Sequence, residues 1–238
     1  MPFLTAEWRK LAMANYTVDP DLLKAYVPAG TELDLWQNTC YVSLVGFMFR
    51  NVRLLGMKIP FHVHFPEVNL RFYVRRKDGG EWKRGVVFVK EIVPKPALSL
   101  VANAVYQEHY ETLPMRHRWI EGTDQLRVAY EWKKGGIWHH IQVDAAPTAI
   151  PIERGSETEF ITEHYWGYAR INDRRTNEYE VTHPTWEAYP VQAYQVKVDF
   201  SLVYGKNFGF LTDQEPDSVL LAEGSPITVE SRRKLFLE

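Results

Sequence analysis

The stretch HFPEVNLRFYV, residues 64 to 74, sets an acid, an amide, a guanidinium and a phenol at alternate positions. Strand side chains point alternately to opposite faces, so Glu67, Asn69, Arg71 and Tyr73 share one side and Val68, Leu70, Phe72 and Val74 the other. Such a row can do acid chemistry. A guanidinium at Arg71 takes a carboxylate in bidentate fashion, and a carboxylate at Glu67 serves as a general base or as a hydrogen-bond partner. Asn69 and Tyr73 complete the row as ligand-binding candidates. By itself, the same alternation also describes a sheet with one wet face.

Other reactive residues form weaker patterns. His62 and His64 make an H-x-H pair followed by Glu67, and such a pair with a later carboxylate holds metal in cupin barrels. Here an unbroken strand would turn both histidines away from Glu67, and Pro66 would have to break the strand to bring the three together. His62 and His64 are therefore weak metal candidates, and the sequence implies no cofactor. The tripeptide Glu-His-Tyr occurs twice, at 108 to 110 and at 163 to 165, and His164 can titrate near neutral pH. Cys40 lies in the apolar run NTCYVSLVGF and reads as a small core residue. Lys90, in GVVFVKEIVP, could be partly desolvated as a covalent catalyst, although Glu91 beside it offers a partner. No G-x-S-x-G elbow, P-loop or G-x-G-x-x-G is present, so hydrolase, NTPase and dinucleotide readings lack their signatures.

The elements that must carry these residues are mostly strands. KDGG at 77 to 80 and KKGG at 133 to 136 are hairpin turns between β-formers, and NDRRTN at 172 to 177 is a longer one. Repeated hairpins predict an antiparallel sheet, curled or closed. Two helices are expected. DPDLLKAYVP has Asp19 as N-cap and Pro20 at the first helical position, while PKPALSLVANAVYQEHY carries Leu98, Val101, Ala102, Val105 and Tyr106 as a core-facing stripe. SLVYGKNF, from Ser201 to Phe208, is a candidate for a short third.

Composition bounds the rest. A chain of 238 residues that is 45% hydrophobic can bury a sizeable core, and one domain over residues 1 to 238 is expected. A net charge of −2 gives no electrostatic case for nucleic acid or an anionic membrane. The basic residues Arg75 to Lys77, with Lys83 and Arg84 across the turn, read as a solvated hairpin tip. A single cysteine excludes a disulfide framework and fits a reducing cytoplasm, and no stretch has the roughly 20 apolar residues of a spanning helix. The many aromatics predict self-association into a homo-oligomer.

The segments AEWRKLAMANYTVDPDLLKAYVPAGTELDLW, YVSLVGFMFRNVRLLG, FHVHFPEVNLRFYVR, RGVVFVKEIVPKPALSLVANAVYQEHYETLPM, EHYWGYARI and FLTDQEPDSVLLAEGSPITV together resemble the YqjF-like family, domain of unknown function 2071, over nearly the whole chain. The resemblance implies an acetoacetate decarboxylase-like fold: α+β, mainly β, an antiparallel barrel or cone with a few packed helices, whose interior holds a small acidic molecule. In acetoacetate decarboxylases a glutamate on a strand is followed by a helix and then by a lysine that forms a Schiff base. Glu67 resembles the glutamate, residues 96 to 109 the helix and TLPMRH the lysine segment. Met115 then stands where the lysine would be and Arg116 where its cationic neighbour would be. A thioether forms no imine and a guanidinium stays protonated, so the resemblance implies an acid-binding site without its nucleophile. Glu67 and His164 are the catalytic candidates. Arg71, Asn69, Tyr73, His109, Tyr110 and Arg116 are the ligand-binding ones, and the expected partner is a small molecule, a carboxylic acid by preference. Two other readings stay open: a binding or sensing module without catalysis, and a metal-dependent enzyme using His62 and His64.

Overall fold

The computed structural model describes residues 2–105 and 107–236; Tyr106 of the expected helical stripe lies outside them, as does the Val105 side chain. The chain opens with β1 (Leu4–Thr17), α1 (Pro20–Leu23), β2 (Glu32–Leu33), β3 (Tyr41–Leu54), β4 (Phe65–Asp78) and β5 (Glu81–Val93). Then come α2 (Pro96–Val105), β6 (Tyr110–Thr112), β7 (Met115–Glu121), β8 (Leu126–Lys134), β9 (Ile137–Ala145), β10 (Ile150–Pro151) and α3 (Glu157–Thr162). The last part holds β11 (Trp166–Asn172), β12 (Arg175–Thr182), β13 (Glu187–Tyr189), β14 (Val191–Lys197), α4 (Phe200–Tyr204), a 3-10 helix (Lys206–Asp213), β15 (Ser218–Val229) and β16 (Arg233–Phe236).

The turn chemistry is where the sequence places it. Gly79 and Gly80 join β4 to β5 with φ of 58° and 97°, and Gly135 and Gly136 join β8 to β9 with φ of 57° and 82°, conformations glycine adopts without a Cβ penalty. Asp19 caps α1 by accepting the Asp21 N–H at 2.9 Å. The helix α3, which the strand patterns conceal, starts at Ser156, whose hydroxyl accepts the Glu159 N–H at 3.1 Å.

The larger sheet curls on itself. Its strands run β15-β1-β3-β4-β5-β11-β12, and β12 returns to β15 through the pairs Val181↔Val229 and Thr182↔Thr228. Most neighbours are antiparallel as expected, but β11 lies parallel to β5, as does β6. At the β5–β11 seam Gly85 permits the approach: a Cβ there would sit 2.4 Å from the Trp166 carbonyl oxygen. The second sheet, β14-β9-β8-β7, covers the outside of this ring.

Two layers of core follow. Val68, Leu70, Phe72 and Val74 on the outer face of β4 pack with Val128, Tyr130, Trp132, Ile141 and Val143 of the covering sheet. Each fully buried side chain of this size is worth roughly 1.5–3 kcal/mol. The opposite face of β4 looks into the ring, and Glu67, Asn69, Arg71 and Tyr73 are 2%, 2%, 8% and 1% exposed. The polar row is therefore enclosed, and the reading of a wet sheet face is corrected. α3 stops one end of the ring, with Phe160 against Tyr73 at 5.4 Å between ring centroids. No helix of the described residues is long and apolar enough to cross a membrane.

Candidate functional site

The interior of the ring holds a cavity of about 400 Å³ lined by Glu67, Asn69 and Arg71 of β4. Strand register brings others beside them. Asn69 pairs with Glu91 across β4–β5, and Glu91 pairs with Tyr110 across β5–β6, so three adjacent strands set Asn69, Glu91 and Tyr110 abreast. A bulge in β5 then skips Val89, pairing Leu70 with Lys90 and Arg71 with Phe88. Glu91 and Phe88, three residues apart, thus both face the cavity, which strict alternation forbids.

The acids form a buried cluster. Asn69 Nδ2 donates to Glu67 Oε1 at 3.1 Å, and the Tyr110 hydroxyl donates to Glu67 Oε2 at 3.2 Å. Burial pushes the Glu67 carboxyl up to about 7 against these two hydrogen bonds and the charge of Arg71. Glu108, which receives the Tyr179 hydroxyl at 2.9 Å, is pushed up by burial to about 8. Glu91 rises well above the usual carboxylate range through burial and then through the like charges of Glu108 and Glu67, and its Oε2 has no partner.

Arg71 is the cation among them. Its Nη2 donates to the Ile161 carbonyl at 3.3 Å and lies 3.8 Å from the Met13 sulfur, while its Nε has no hydrogen-bond partner. Among the described residues no carboxylate forms an ion pair with it. Tyr73 does not line the cavity. Its ring supports the Arg71 guanidinium at 5.6 Å, and its hydroxyl is held at 2.7 Å by Ser43, which also donates to Asn15 at 2.6 Å.

His164 approaches from the other side, in the link between α3 and β11. Its Nε2 lies 3.2 Å from Asp34 Oδ2, and its Nδ1 is buried without a partner. Burial would raise Asp34, but hydrogen bonds from His164 and Arg84 outweigh it and hold the carboxyl below its ordinary range. An ionised Asp34 only accepts, so Nε2 carries the proton and Nδ1 presents a lone pair. Burial lowers the imidazole to about 4 despite Asp34, which keeps the ring neutral at pH 7.

The structure separates the sequence candidates. Glu67, Asn69, Arg71, Tyr110 and His164 meet at the cavity, with Tyr73 behind them. His109 does not: Glu108 and Tyr110 turn inward in an extended stretch, so the residue between them is exposed. Arg116 lies on β7 of the covering sheet, where it pairs with Glu131 and stacks 4.1 Å from the Trp138 ring centroid. Met115 packs against the outer core. Lys90 points outward as well, donating to the Val203 carbonyl at 2.6 Å and pairing with Glu111 at 3.0 Å; burial lowers its pKa, but away from the cavity. No lysine lines the cavity among the described residues.

His62 and His64 lie in the turn before β4 rather than in the strand. His62 lines the cavity at its rim, whereas His64 borders a separate outer groove with His117. No group of three or more His, Cys, Asp or Glu side chains is placed to hold a metal among the described residues. The expected core stripe of α2 is corrected too, since Ala97, Leu98, Val101 and Ala102 line the cavity instead. The basic hairpin is paired rather than merely solvated: Arg76 and Lys83 meet Glu178 and Asp78, and Arg84 meets Asp34. Cys40 is buried just ahead of β3, its thiol pushed up to about 11 by burial.

Sequence reasoning missed Glu91, Glu108, Asp34 and Tyr179. The repeated Glu-His-Tyr was a usable signal for Glu108, while the β5 bulge hid Glu91.

Comparisons with known proteins agree with this architecture. The model of DUF2071, described as an uncharacterized conserved protein, matches residues 5–226. The chain is 37% identical over 181 residues to the uncharacterized protein YqjF of Bacillus subtilis (strain 168), covering 75% of this chain and 72% of that one. Among solved structures it superposes on acetoacetate decarboxylase of Legionella pneumophila with a TM-score of 0.67 and 13% identity, over 99% of this chain and 87% of that one. The enduracididine biosynthesis enzyme MppR complexed with pyruvate gives a TM-score of 0.67 and 12% identity, over 98% and 91%. An acetoacetate decarboxylase-like enzyme from Sphingomonas wittichii RW1 gives 0.63 and 11%, over 100% and 95%. At these identities the structural matches establish the fold alone.

Proposed function

The chain belongs to the DUF2071 family and has the acetoacetate decarboxylase-like fold, and from that premise we propose that it binds a small organic acid inside the ring. The observation that carries this reading is Arg71: a guanidinium 8% exposed, facing the cavity, with an unpartnered Nε and no ion-paired carboxylate among the described residues. A buried charge without a counter-ion is costly, and an anionic ligand removes that cost with charge-assisted hydrogen bonds. The pyruvate complex of MppR, on the same fold, supports a keto acid or related metabolite as the ligand class.

Acid–base chemistry on the bound acid has two suitable groups. Glu67, poised near 7, can give or take a proton, and the free Nδ1 of His164 can accept one. Asp34 holds His164 in that tautomer. Covalent chemistry through an imine would need a lysine at the cavity, and Lys90 faces the outer core, where it donates to the Val203 carbonyl. A binding module without turnover uses the same Arg71 and is the second reading; a proton-exchange assay separates the two.

The test is thermal. An acid that binds only the native state raises the melting temperature by mass action, about 2.7 kcal/mol of stabilisation at a hundredfold excess over Kd. Pyruvate and acetoacetate are expected to raise the melting temperature of the wild type and not that of Arg71→Met. An equal shift in both proteins would remove Arg71 as the anion site. Deuterium exchange at the methyl carbon of bound pyruvate, next to its ketone, lost in Glu67→Gln or His164→Gln, would indicate acid–base chemistry; binding without exchange would favour the binding module.

A further inference from the structure

We propose that the ligand is an amphiphile, a carboxylic acid whose apolar tail fills the outer half of the cavity; this rests on the Arg71 reading above. The warrant is how the lining changes with depth. Moving along β3 and β4 from Arg71 toward the β3–β4 connection, the inward pairs are Ser43↔Arg71, Val45↔Asn69, Phe47↔Glu67 and Phe49↔Phe65. Polar residues occupy the deep half and aromatic ones the outer half. From Arg71 to Phe65 the strand rises about 20 Å at 3.3 Å per residue, far longer than a three- or four-carbon acid.

Neighbouring strands continue the pattern. Trp8 of β1 pairs with Phe49, and Leu4 pairs with both Leu54 and Val229, all five lining the cavity at its outer end. Trp8 stacks edge-on to Phe47, Phe49 and Trp186, with centroids at 5.5, 6.1 and 6.3 Å. A site for pyruvate alone has no use for this aromatic collar, and the cavity volume lies in the range that receives drug-sized molecules.

The rim is apolar as well. Ile59 of the β3–β4 connection and Val101 of α2 line the cavity while 39% and 42% exposed, and Phe61, Met57 and Leu100 beside them are 87%, 64% and 73% exposed. Apolar residues clustered at an opening favour entry of an apolar tail. The deep end admits no tail, because α3 closes it and the Ile161 carbonyl is bonded to Arg71. The acid enters head first, carboxylate to Arg71, with its tail between Trp8, Phe49, Phe65 and Leu98.

Calorimetric titration of the full-length protein with butanoate, hexanoate, octanoate and decanoate tests this, with the matching alkanols as uncharged controls. Each added methylene is expected to tighten binding about fourfold until the outer half is filled. Val101→Glu, at a cavity-lining position 42% exposed, is expected to weaken decanoate more than butanoate. Arg71→Met is expected to weaken every acid while preserving the increment per methylene. Arg71-dependent binding with no increment along the series would overturn the amphiphile and leave the proposed function standing. An increment shown equally by alkanols and indifferent to Arg71→Met would keep the apolar chamber and overturn acid recognition. Absence of binding by acids and alkanols alike would overturn both.

Discussion

At the scale of single residues, the site combines groups whose ionisation burial has reversed. Glu67 and Glu108 keep their protons to about 7 and 8, because desolvation outweighs the phenol and amide hydrogen bonds they receive. Their unfolded-state carboxyls titrate near 4.5. Between those values the folded state binds more protons than the unfolded one, so stability falls as pH rises from about 4.5 to 8. His164 acts in the opposite sense: its pKa drops to about 4 from 6.5, so its contribution is present above 6.5 and is lost as pH falls through 4. His117, His139, His140 and His183 are lowered by burial in the same sense, so the carboxylates dominate only above the histidine range, and urea midpoints measured across pH 7 to 9 should decline toward the alkaline side. Glu108→Gln, whose amide oxygen still accepts from Tyr179, should flatten the decline above pH 7. A variant that keeps the full wild-type slope would show that Glu108 ionises normally.

At the scale of elements, the site depends on backbone devices more than on side-chain choice. The β5 bulge turns Glu91 and Phe88 to the same side and leaves Lys90 on the other. Gly167 of β11 makes room for Tyr179 on β12, its cross-strand partner: a Cβ at 167 would stand 2.1 Å from the Tyr179 ring carbon that bears the hydroxyl. Gly167→Ala is expected to push that ring aside, break its hydrogen bond to Glu108 and cost about 1–3 kcal/mol. Chemical denaturation of Gly167→Ala beside Tyr179→Phe checks this. The alanine variant should be the less stable of the two, since it adds overpacking to the lost hydrogen bond; equal stabilities would mean that the ring moves freely.

At the scale of the molecule, the ring is closed by one hairpin. The β11–β12 pair joins β5 on one side through Trp166↔Gly85 and Gly167↔Val86, and β15 on the other through Val181↔Val229 and Thr182↔Thr228. The β1–β3 and β4–β5 ladders are far longer. Short seams open at lower free-energy cost than long ladders. Hydrogen exchange should thus be faster at the Glu230 amide, which donates to the Glu180 carbonyl at 2.9 Å, and at the Tyr165 amide, which donates to the Arg84 carbonyl at 3.1 Å, than along β1 and β3, and a bound acid should slow the seams. Uniform protection round the ring would show that the closure is as firm as the ladders.

The sequence alone determined the local features of this protein. The hairpins at Gly79–Gly80 and Gly135–Gly136, the Asp19 cap, the mainly β composition and the alternation of Glu67, Asn69, Arg71 and Tyr73 all follow from interactions within a few residues. The order of its segments also led to the family and the fold. Only the tertiary structure decided that the row faces an enclosed cavity, because alternation gives two faces without saying which one another sheet will cover. It decided too that Glu91, Glu108 and Asp34 join the site while His109 and Arg116 leave it. Those outcomes depend on a bulge, on a parallel seam and on closure between strands some 50 residues apart in the chain, and no local pattern encodes contacts at that separation.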